Sequence, residues 1–344
     1  MTALTIEQIA EIAQVSRSTV SRVLNNHPSV RPAVRDRVLR IISEHNYTPH
    51  AAARSLASSR TNVIGLLIPR TAAAIFSDPF FPYVIQGITE ACNSQGYFLM
   101  LAMVSAEMEQ GFYNRILRSR HFDGVIMLSG DVDDPILPLL INDRTPLALI
   151  GHHPYFQNLI SVDVENRSGA RQAVAHLIGL GHRRIGAIAG PLQMVVSLDR
   201  RDGYKQALLE AGIPIAPELI VEGDFTQVGG YQAMKRLLGL PQPPTAVFAT
   251  SDAMAMGALR AIHESGLAVP EDIALVGFDD LPMAAFANPP LTTVHQPISE
   301  MGATAARLLL RRLDGQEDGA VQALLPARLV VRSSCGASLR SVGA

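Results

Sequence analysis

From residue 61 onward, short apolar runs alternate with longer segments of helical periodicity, and this alternation limits the fold more than any other feature. The apolar runs have the length of buried strands and cover residues 63–69, 97–103, 124–128, 147–150, 184–189, 245–249 and 273–278. The helical segments cover residues 82–95, 108–118, 166–180, 199–211, 227–238, 252–265 and 298–313. Strands that are apolar on both faces and separated by helices are typical of parallel sheets covered on both sides. Because so many strand–helix units exceed one sheet, the sequence predicts an α/β fold with two doubly wound parallel-sheet subdomains.

The size and the charge of the chain indicate more than one domain. Its 344 residues exceed roughly 250–300 residues, the size at which a single hydrophobic core stops growing. The net charge is −2, but residues 1–60 carry eight arginines and four acidic residues, or +4, which leaves −6 for the remainder. The first sixty residues are therefore expected to form a separate, basic segment.

Composition disfavours several classes of protein. With 48% hydrophobic and 17% charged residues, the chain is too apolar to be disordered as a whole. Its two cysteines, Cys92 and Cys335, cannot build a disulfide framework. The amino terminus lacks the pattern of a signal peptide, and no apolar run is long enough to span a bilayer. We therefore expect a soluble, cytoplasmic protein without a membrane partner.

The first 47 residues are predicted to form three short helices. Thr5 and Gln8 have the spacing of a capping box, Ser16 can cap a second helix, and Pro32 suits the first turn of a third. The apolar residues expected inside are Ile6, Ile9, Ala10, Ala13, Val20, Val23, Leu24, Val34, Val38, Leu39, Ile42 and Tyr47. Two short helices joined by a tight turn and braced by a third form a helix-turn-helix unit.

The second helix has a polar face that suits the major groove of DNA. Arg17 and Ser18 lie at its beginning, where side chains reach base edges, and an arginine can bond a guanine in a bidentate manner. Further candidates, for phosphate contact and register, are Ser16, Thr19, Ser21, Arg22 and Asn25. The alternative is a three-helix interaction module whose arginines are only solvated.

Residues 48–60 predict a short basic helix after this unit. The segment contains no acidic residue, and a helix of about two to three turns is marginal in water by itself, which suits folding upon DNA binding. Its candidate DNA contacts are His50, Arg54 and Leu56, with Leu56 placed to wedge between base steps in the minor groove. The alternative is an ordinary linker with Leu56 packed against a neighbouring domain.

The run VSRSTVSRVLN, followed by HNYTPHAAARSLASSRTNVIGLLIP, resembles the lactose-repressor (LacI/GalR) family of bacterial transcription regulators. The family pattern is VSxxTVSRVLN, then NYxPNxxARxL, then IGxxxP, and its spacing is kept without gaps through residues 4–69. His50 stands where asparagine is usual. The resemblance covers the whole chain, since HLIGLGHRRIGAIAGP is also a close match.

The resemblance implies a regulator that binds double-stranded operator DNA as a homodimer, responds to a small, sugar-like effector and uses no cofactor. It implies a helix-turn-helix domain at residues 1–47, a hinge helix at 48–60 and an effector-binding and dimerisation domain at 61–344 with the type I periplasmic binding-protein fold. Within this last domain, an N-subdomain is expected at about 61–161 and 291–321, and a C-subdomain at about 162–290 and 322–340.

Ligands of open α/β sheets bind beyond the carboxyl ends of the strands, so two facing lobes are expected to enclose a ligand. The candidates for effector contact are Phe80, His152, Arg200, Phe225, Ser251 and Asp279, with Asp78 and Phe81 beside the first of them. The resemblance places Arg200 on the family's ligand-binding arginine, Asp279 on an acid that receives effector hydroxyls and Phe225 on a stacking position. The alternatives are a surface ion pair for Arg200 and a core position for Phe225.

Residues near the expected effector site differ from the family pattern or could suggest another role. Ser251 replaces the family's usual asparagine, and Asp252 is expected to cap the following helix. His152 and His153 are adjacent and should face different directions, so no metal site is predicted.

No GK[ST], GxSxG or HExxH motif and no zinc-spaced cysteine pair occurs, so an enzyme is not expected. A solute-binding transport protein is disfavoured by the extra sixty residues. The identity of the effector and the direction of its action stay open.

Overall fold

The chain forms two compact units, Met1–Thr61 and Asn62–Ala344. The computed structural model describes residues 4–24, 27–45, 47, 60–69, 72–103, 121–128, 130–316 and 319–337. The predicted helix at 108–118 and nearly all of the predicted hinge helix at 48–60 lie outside the described residues.

The first unit contains three helices at the predicted places: α1 (Ile6–Ile12), α2 (Arg17–Leu24) and α3 (Pro32–Glu44). The capping box of α1 is present, because the Thr5 backbone N–H donates to Gln8 Oε1 at 2.8 Å and the Gln8 backbone N–H donates to Thr5 Oγ1 at 3.4 Å. Ser16 Oγ accepts the backbone N–H of Thr19 at 3.2 Å and so caps α2. Pro32 occupies the first turn of α3.

These three helices bury one small apolar core. Its buried members are Ile9, Ala10, Ala13, Val20, Val23, Val38 and Tyr47. Leu39 was expected inside, but it is 45% exposed. On α3 the residues that face the core lie three or four positions from Val38. Leu39 directly follows Val38, so its side chain is rotated by about 100° around the helix axis and faces away from the core.

The first lobe of the second unit is built on a six-stranded sheet. Its strands are β1 (Val63–Ile68), β2 (Phe98–Met103), β3 (Gly124–Leu128), β4 (Leu147–Ile150), β5 (Ile160–Val164) and β11 (Gln322–Leu325). Their order is β11-β5-β4-β3-β1-β2, and every pair is parallel. Its helices are α4 (Ala72–Ser77), α5 (Phe80–Ser94), α6 (Ile136–Asn142) and α12 (Ile298–Leu313). Helices α5 and α12 pack together on one face, and α6 shares a separate apolar cluster with β3 and β4.

The second lobe has a similar sheet with one antiparallel edge. Its strands are β6 (Ile185–Ala189), β7 (Ile220–Glu222), β8 (Ala246–Ala249), β9 (Ala274–Asp279), β10 (Thr292–His295) and β12 (Arg328–Val330), in the order β12-β10-β9-β8-β6-β7. Only the β10–β12 pair is antiparallel. Its helices are α7 (Asn166–Gly179), α8 (Val195–Glu210), α9 (Gln227–Leu238), α10 (Asp252–Glu264) and α11 (Pro282–Ala285), with a 3₁₀ turn at Pro217–Leu219. The α7–α8 and α9–α10 pairs pack as neighbours against this sheet.

The predicted fold class is confirmed, and each of the seven predicted strands is present with ends that differ by at most one residue. The chain crosses between the lobes near Glu165, Gln296 and Pro326, a few residues later than the expected subdomain boundaries in each case. The pairing of strands within the two sheets explains this difference. Residues 322–325 pair with β5 in the first sheet, whereas residues 292–295 pair with β9 in the second.

Among the described helices, none combines the length and the apolar character that crossing a bilayer requires.

Helices α9 and α10 approach so closely that residue 257 must be glycine. A Cβ built at Gly257 would overlap the carbonyl oxygen of Gln227, so the two helices would have to separate. Gly257→Ala should therefore lower the free energy of unfolding by about 1–3 kcal/mol, measured by urea denaturation of the full-length chain. Gly179→Ala is the matched control, because a Cβ there meets nothing within 4 Å, and its effect should stay below about 1 kcal/mol. Equal losses in both variants would contradict this account of the packing.

Candidate functional site

The two lobes enclose a cavity at the carboxyl ends of both sheets. It has a volume of about 120 Å³, enough for several water molecules or part of a small ligand. The lining residues that end or follow strands of the first lobe are Ile68, Pro69, Leu128, Gly130, Ile150, Gly151 and Val164. Among the predicted effector contacts, those that line this cavity are Phe80, Arg200, Phe225, Ser251 and Asp279, together with Asp78 and Phe81.

Arg200 on α8 is the central charged group of this cavity and is only 4% exposed. Its Nε donates to Asn166 Oδ1 at 2.8 Å, and its Nη1 donates to the Thr250 carbonyl oxygen at 2.6 Å and to Asp279 Oδ1 at 3.2 Å. The guanidinium carbon lies 3.7 Å from the centre of the Phe278 ring, a cation–π contact. Among the described residues, Nη2 makes no hydrogen bond, so it is the donor that a ligand in the cavity can use.

Asp279 is the acceptor opposite this guanidinium. It ends β9 with a φ of 120°, and its Oδ1 also accepts Gln296 Nε2 at 2.6 Å. Burial raises the pKa of Asp279 to about 7, although the positive charge of Arg200 acts in the opposite direction. Burial also lowers the pKa of Arg200, an effect that Asp279 opposes. The pair is held in place by hydrogen bonds, as a buried ion pair must be.

A second carboxyl group faces the cavity from the first lobe. Asp78 lies two residues before the start of α5, and its Oδ1 accepts the backbone N–H of Phe80 at 2.9 Å. Burial raises the pKa of Asp78 to about 6, against the effect of that hydrogen bond and of the Arg200 charge. Two carboxyl groups that titrate close to neutral pH therefore face one guanidinium, and the cavity offers both acceptors and a donor to ligand hydroxyls.

Aromatic rings supply the apolar part of the cavity from both lobes. Phe80 and Phe81 lie edge to face, with ring centres 5.6 Å apart and planes at 84°. Phe225 enters from the second lobe with a φ of 64°, a strained backbone conformation for a bulky residue. Gly190 makes room for it, because a Cβ there would overlap the Phe225 ring. Such rings provide faces on which the apolar side of a ring-shaped ligand can stack.

The expected cap of α10 is wrong by one residue. Ser251 Oγ accepts the backbone N–H of Met254 at 3.2 Å, so Ser251 is the N-cap and also lines the cavity. Asp252 is fully buried, and its carboxylate accepts Thr293 Oγ1 at 2.6 Å and the Leu281 backbone N–H at 2.8 Å. Burial raises the pKa of Asp252 well above its ordinary value. Asp252 therefore ties α10 to β10, because its side chain points back into the sheet.

His152 is the predicted effector contact that the structure places elsewhere. It lies in a second, open groove whose volume is about 370 Å³, outside the cavity that contains Arg200. Its Nδ1 lies 2.7 Å from Asp163 Oδ2, and its Nε2 lies 3.6 Å from Asp199 Oδ2. Each ring nitrogen of His152 therefore faces a carboxylate, and the residue does not line the cavity. His153 has different partners, since its Nε2 lies 3.0 Å from the Val132 carbonyl oxygen.

His152, Asp163 and Asp199 are also the group of described residues whose potential metal-ligand atoms lie within 4.8 Å of one another. A metal ion needs one imidazole lone pair with carboxylates around the same point in space. Here a carboxylate faces each ring nitrogen instead, and Arg167 Nη2 lies 3.5 Å from Asp199 Oδ1. This arrangement suits an imidazolium ion between two carboxylates better than a metal ion.

Two residues that hold the cavity's charged pair were missed by the sequence analysis. Asn166 binds Arg200, and Gln296 binds Asp279. Both are polar residues that follow the carboxyl end of a strand, where ligands of such sheets bind. That signal was not available, because neither β5 nor β10 was recognised as a strand.

A second candidate surface lies on the first unit. Ser16, which precedes α2, and Arg17, Ser18 and Arg22 of the helix are exposed, while Thr19 and Ser21 are half-buried. Ser16 Oγ lies 2.8 Å from Ser18 Oγ and 2.9 Å from Thr19 Oγ1, and Arg17 Nε lies 3.2 Å from Glu7 Oε1 in an exposed pair. The other predicted DNA contacts, Asn25, His50, Arg54 and Leu56, lie outside the described residues.

The buried position of Asp78 gives a prediction for the pH dependence of stability. Because its pKa of about 6 in the folded chain lies above the ordinary 3.8, the folded chain binds this proton more tightly than the unfolded chain. Asp78 therefore costs stability as the pH rises from about 4 to about 6. Asp78→Asn keeps the Oδ1 acceptor without the charge. Its free energy of unfolding relative to wild type should rise by at most about 3 kcal/mol between pH 4 and pH 7, measured by urea denaturation.

Asp133→Asn, which removes an exposed carboxyl group, controls for the loss of one negative charge. A difference between Asp78→Asn and wild type that stays constant with pH would contradict the burial of this carboxyl group.

Comparison with known proteins shows which families the two units of the chain resemble. Residues 5–50 match the family described as bacterial regulatory proteins, lacI family, and residues 174–335 match a periplasmic binding protein-like domain. The HTH-type transcriptional regulator CelR of Thermobifida fusca is 40% identical over 333 residues, 96% of this chain and 98% of that protein. The HTH-type transcriptional repressor CytR of Escherichia coli (strain K12) is 37% identical over 337 residues, 97% of this chain and 96% of that protein.

Solved structures extend the similarity to the fold. A CelR–cellobiose complex has a TM-score of 0.77 at 38% identity, covering 96% of this chain and 99% of that chain. The lac repressor dimer bound to operator and the anti-inducer ONPF has a TM-score of 0.86 at 30% identity, covering 97% and 99%. The resemblance inferred from the sequence motifs is therefore confirmed, and the chain belongs to the LacI family of bacterial transcription regulators.

Proposed function

We propose that this chain is a sequence-specific DNA-binding regulator, a repressor of carbohydrate-metabolism genes, and that a small ligand between its lobes controls its affinity for operator DNA. The observation that carries the proposal is the cavity in which Arg200 and Asp279 face Asp78 of the other lobe. The same chain contains a helix-turn-helix unit, so ligand binding and DNA binding can be carried by one molecule.

On the DNA side, α2 is the helix proposed to enter the major groove. Arg17 and Ser18 are exposed at its start, where the side chains of a recognition helix meet base edges. We assign phosphate contact or register to Ser16, Thr19, Ser21, Arg22 and Asn25, and minor-groove contact to His50, Arg54 and Leu56. A homodimer on a near-palindromic site follows from this assignment, and a relative with the same fold is a dimer on its operator.

On the ligand side, the charges favour an unphosphorylated sugar or sugar derivative. The cavity contains the carboxyl groups of Asp78, Asp163 and Asp279 against one guanidinium, that of Arg200. A phosphate group would add negative charge beside these carboxylates in an enclosed site, where repulsion is strong. Hydroxyl groups can instead donate to the carboxylates while an apolar sugar face stacks on the phenylalanines. The solved complex of the relative CelR with cellobiose supports the same ligand class.

The proposal includes the division of the chain and its cellular place. We assign residues 1–47 to DNA binding, 48–60 to the hinge and 61–344 to effector binding and dimerisation, with the lobe crossings as the structure has them. A regulator of this kind acts on chromosomal DNA, so we propose a cytoplasmic protein. We also propose that it has no enzymatic activity and no cofactor, since the relatives are transcription regulators. Incubation with sugars and ATP, followed by product analysis, tests that assignment.

DNA recognition by α2 can be tested by fluorescence anisotropy at near-physiological salt. The probe is a palindromic duplex from the region upstream of the chain's own gene, and a scrambled duplex of equal composition is the reference. Wild-type protein should prefer the palindrome by at least about 1,000-fold. Arg17→Ala should weaken palindrome binding by about 1–3 kcal/mol, or roughly 5- to 150-fold, because a base contact is lost.

Arg40→Ala is the matched control, since it removes an exposed arginine from α3 of the same unit. It should change palindrome affinity only slightly. No preference of the wild-type protein for the palindrome, or equal losses in both variants, would contradict the proposed role of α2.

The ligand class can be tested by thermal shift and by calorimetry with cellobiose and cellobiose 6-phosphate as probes. Cellobiose should raise the melting temperature, because it binds only the folded chain. The phosphate ester should bind at least about tenfold more weakly, because its charge meets the carboxylates. Arg200→Lys keeps the positive charge but loses the planar fork, so it should weaken cellobiose binding, whereas the exposed variant Asp133→Asn should not. Tighter binding of the ester would refute the charge argument.

A further inference from the structure

Helix α8 contacts the first lobe through its backbone as well as through the cavity. The Val132 backbone N–H donates to the Gln193 carbonyl oxygen at 2.9 Å, and the Val195 N–H donates to the Gly130 carbonyl oxygen at 3.4 Å. Asp131 and Met194 thereby form a short antiparallel bridge between the loop after β3 and the start of α8. These two amide groups therefore report directly on whether the lobes are in contact.

One turn further along α8, Asp199 faces His152 of the first lobe. His152 Nδ1 lies 2.7 Å from Asp163 Oδ2 of β5, and Nε2 lies 3.6 Å from Asp199 Oδ2. Asp163 belongs to the same lobe as His152, whereas Asp199 belongs to the other lobe. The imidazole ring thus connects carboxylates from both lobes, and of these two contacts the one with Asp199 depends on the lobe arrangement.

The charges around this histidine favour its protonated form. Its hydrogen bond to Asp163 raises the pKa of His152, and the charge of Asp199 acts in the same direction, against burial and the charge of Arg167. Arg167 on α7 lies 3.5 Å from Asp199, and Glu165 and Arg171 line the same groove. The side chain of His152 is 44% exposed, so its contact with Asp199 is an ion pair of modest strength.

We propose that His152 is an ionic latch between the two lobes, which holds them in the arrangement described here when its imidazole is protonated. Loss of the proton removes the attraction to Asp199, and the first lobe then separates more easily from α8. Because the histidine binds its proton more tightly in the latched arrangement, this arrangement is favoured at low pH and weakened as the pH rises above the ordinary range of a histidine.

The position of the latch connects it to the ligand cavity. Asp199 and Arg200 are neighbours on α8, and one faces His152 while the other faces the cavity. A shift of the lobe arrangement by protonation should therefore change ligand response and operator affinity together. This consequence depends on the proposed function, whereas the latch itself does not.

Hydrogen–deuterium exchange of the full-length, ligand-free protein tests the latch without DNA. The measured quantities are the protection factors of the peptides that contain Val132 and Val195, in EDTA-containing buffer at pH 6 and pH 8, corrected for intrinsic exchange rates. In wild type, protection should fall by about two- to fivefold from pH 6 to pH 8, the size expected for a partly exposed ion pair. His152→Gln, which can still form hydrogen bonds but does not titrate in this range, should remove most of that pH dependence.

Two further variants separate the latch from other causes. Asp199→Asn leaves His152 paired within its own lobe, so it should also remove the pH dependence of protection. His263→Gln changes a histidine at the end of α10 and should behave like wild type. Asp78 and Asp279 also titrate near this pH range, and any pH dependence that they cause should persist in His152→Gln.

The proposal is overturned if His152→Gln keeps the wild-type ratio of protection between pH 6 and pH 8. It is equally overturned if Asp199→Asn keeps that ratio, because the histidine then acts within the first lobe alone. Operator affinity of the same samples is measured in parallel. Failure of operator binding would count against the proposed function only, since the exchange result is independent of DNA.

Discussion

The burial of the Arg200 guanidinium is the interaction on which the effector-binding half of the molecule depends. A buried charge without partners would cost several kcal/mol, so its position requires acceptors from several parts of the fold. Asn166, Thr250 and Asp279 supply them, and Gln296 in turn holds Asp279. Asn166 and Gln296 both lie beside a crossing between the lobes. The network that positions the charges of the cavity therefore also includes the segments that join the two lobes.

This arrangement gives α8 a central position in communication between the lobes. Its first turn pairs with the loop after β3, Asp199 faces His152, and Arg200 reaches the cavity. A ligand that binds Nη2 of Arg200, which has no hydrogen-bond partner among the described residues, therefore acts on the same helix that contacts the other lobe at two points. A physical coupling needs such an element with two arrangements whose populations both sites can change. Because α8 contacts both the cavity and the first lobe, we propose that it is this element.

Much of the fold could be predicted because its signals are local. Apolar runs predicted seven strands to within one residue at each end, and the Thr5–Gln8 spacing predicted a capping box that is present. Strands β5, β7, β10, β11 and β12 were missed, since each has five residues or fewer and contains at least one polar or charged residue. Asp252 was expected to cap a helix, but its carboxylate accepts a hydrogen bond inside the sheet from the hydroxyl of Thr293, 41 residues away. No local pattern encodes such a partner.

The sequence by itself therefore determined the family and the positions of seven strands. Of the six residues that it predicted to contact the effector, five line the cavity. Periodicity, capping and motif spacing are properties of neighbouring residues, so they can be read without coordinates. Only the tertiary structure decided which sheet each late strand joins and where His152 points. Arg200 meets Asp279 across 79 residues of chain, and His152 meets Asp199 across the two lobes. Such contacts depend on the packing of whole lobes, because no short segment contains both partners.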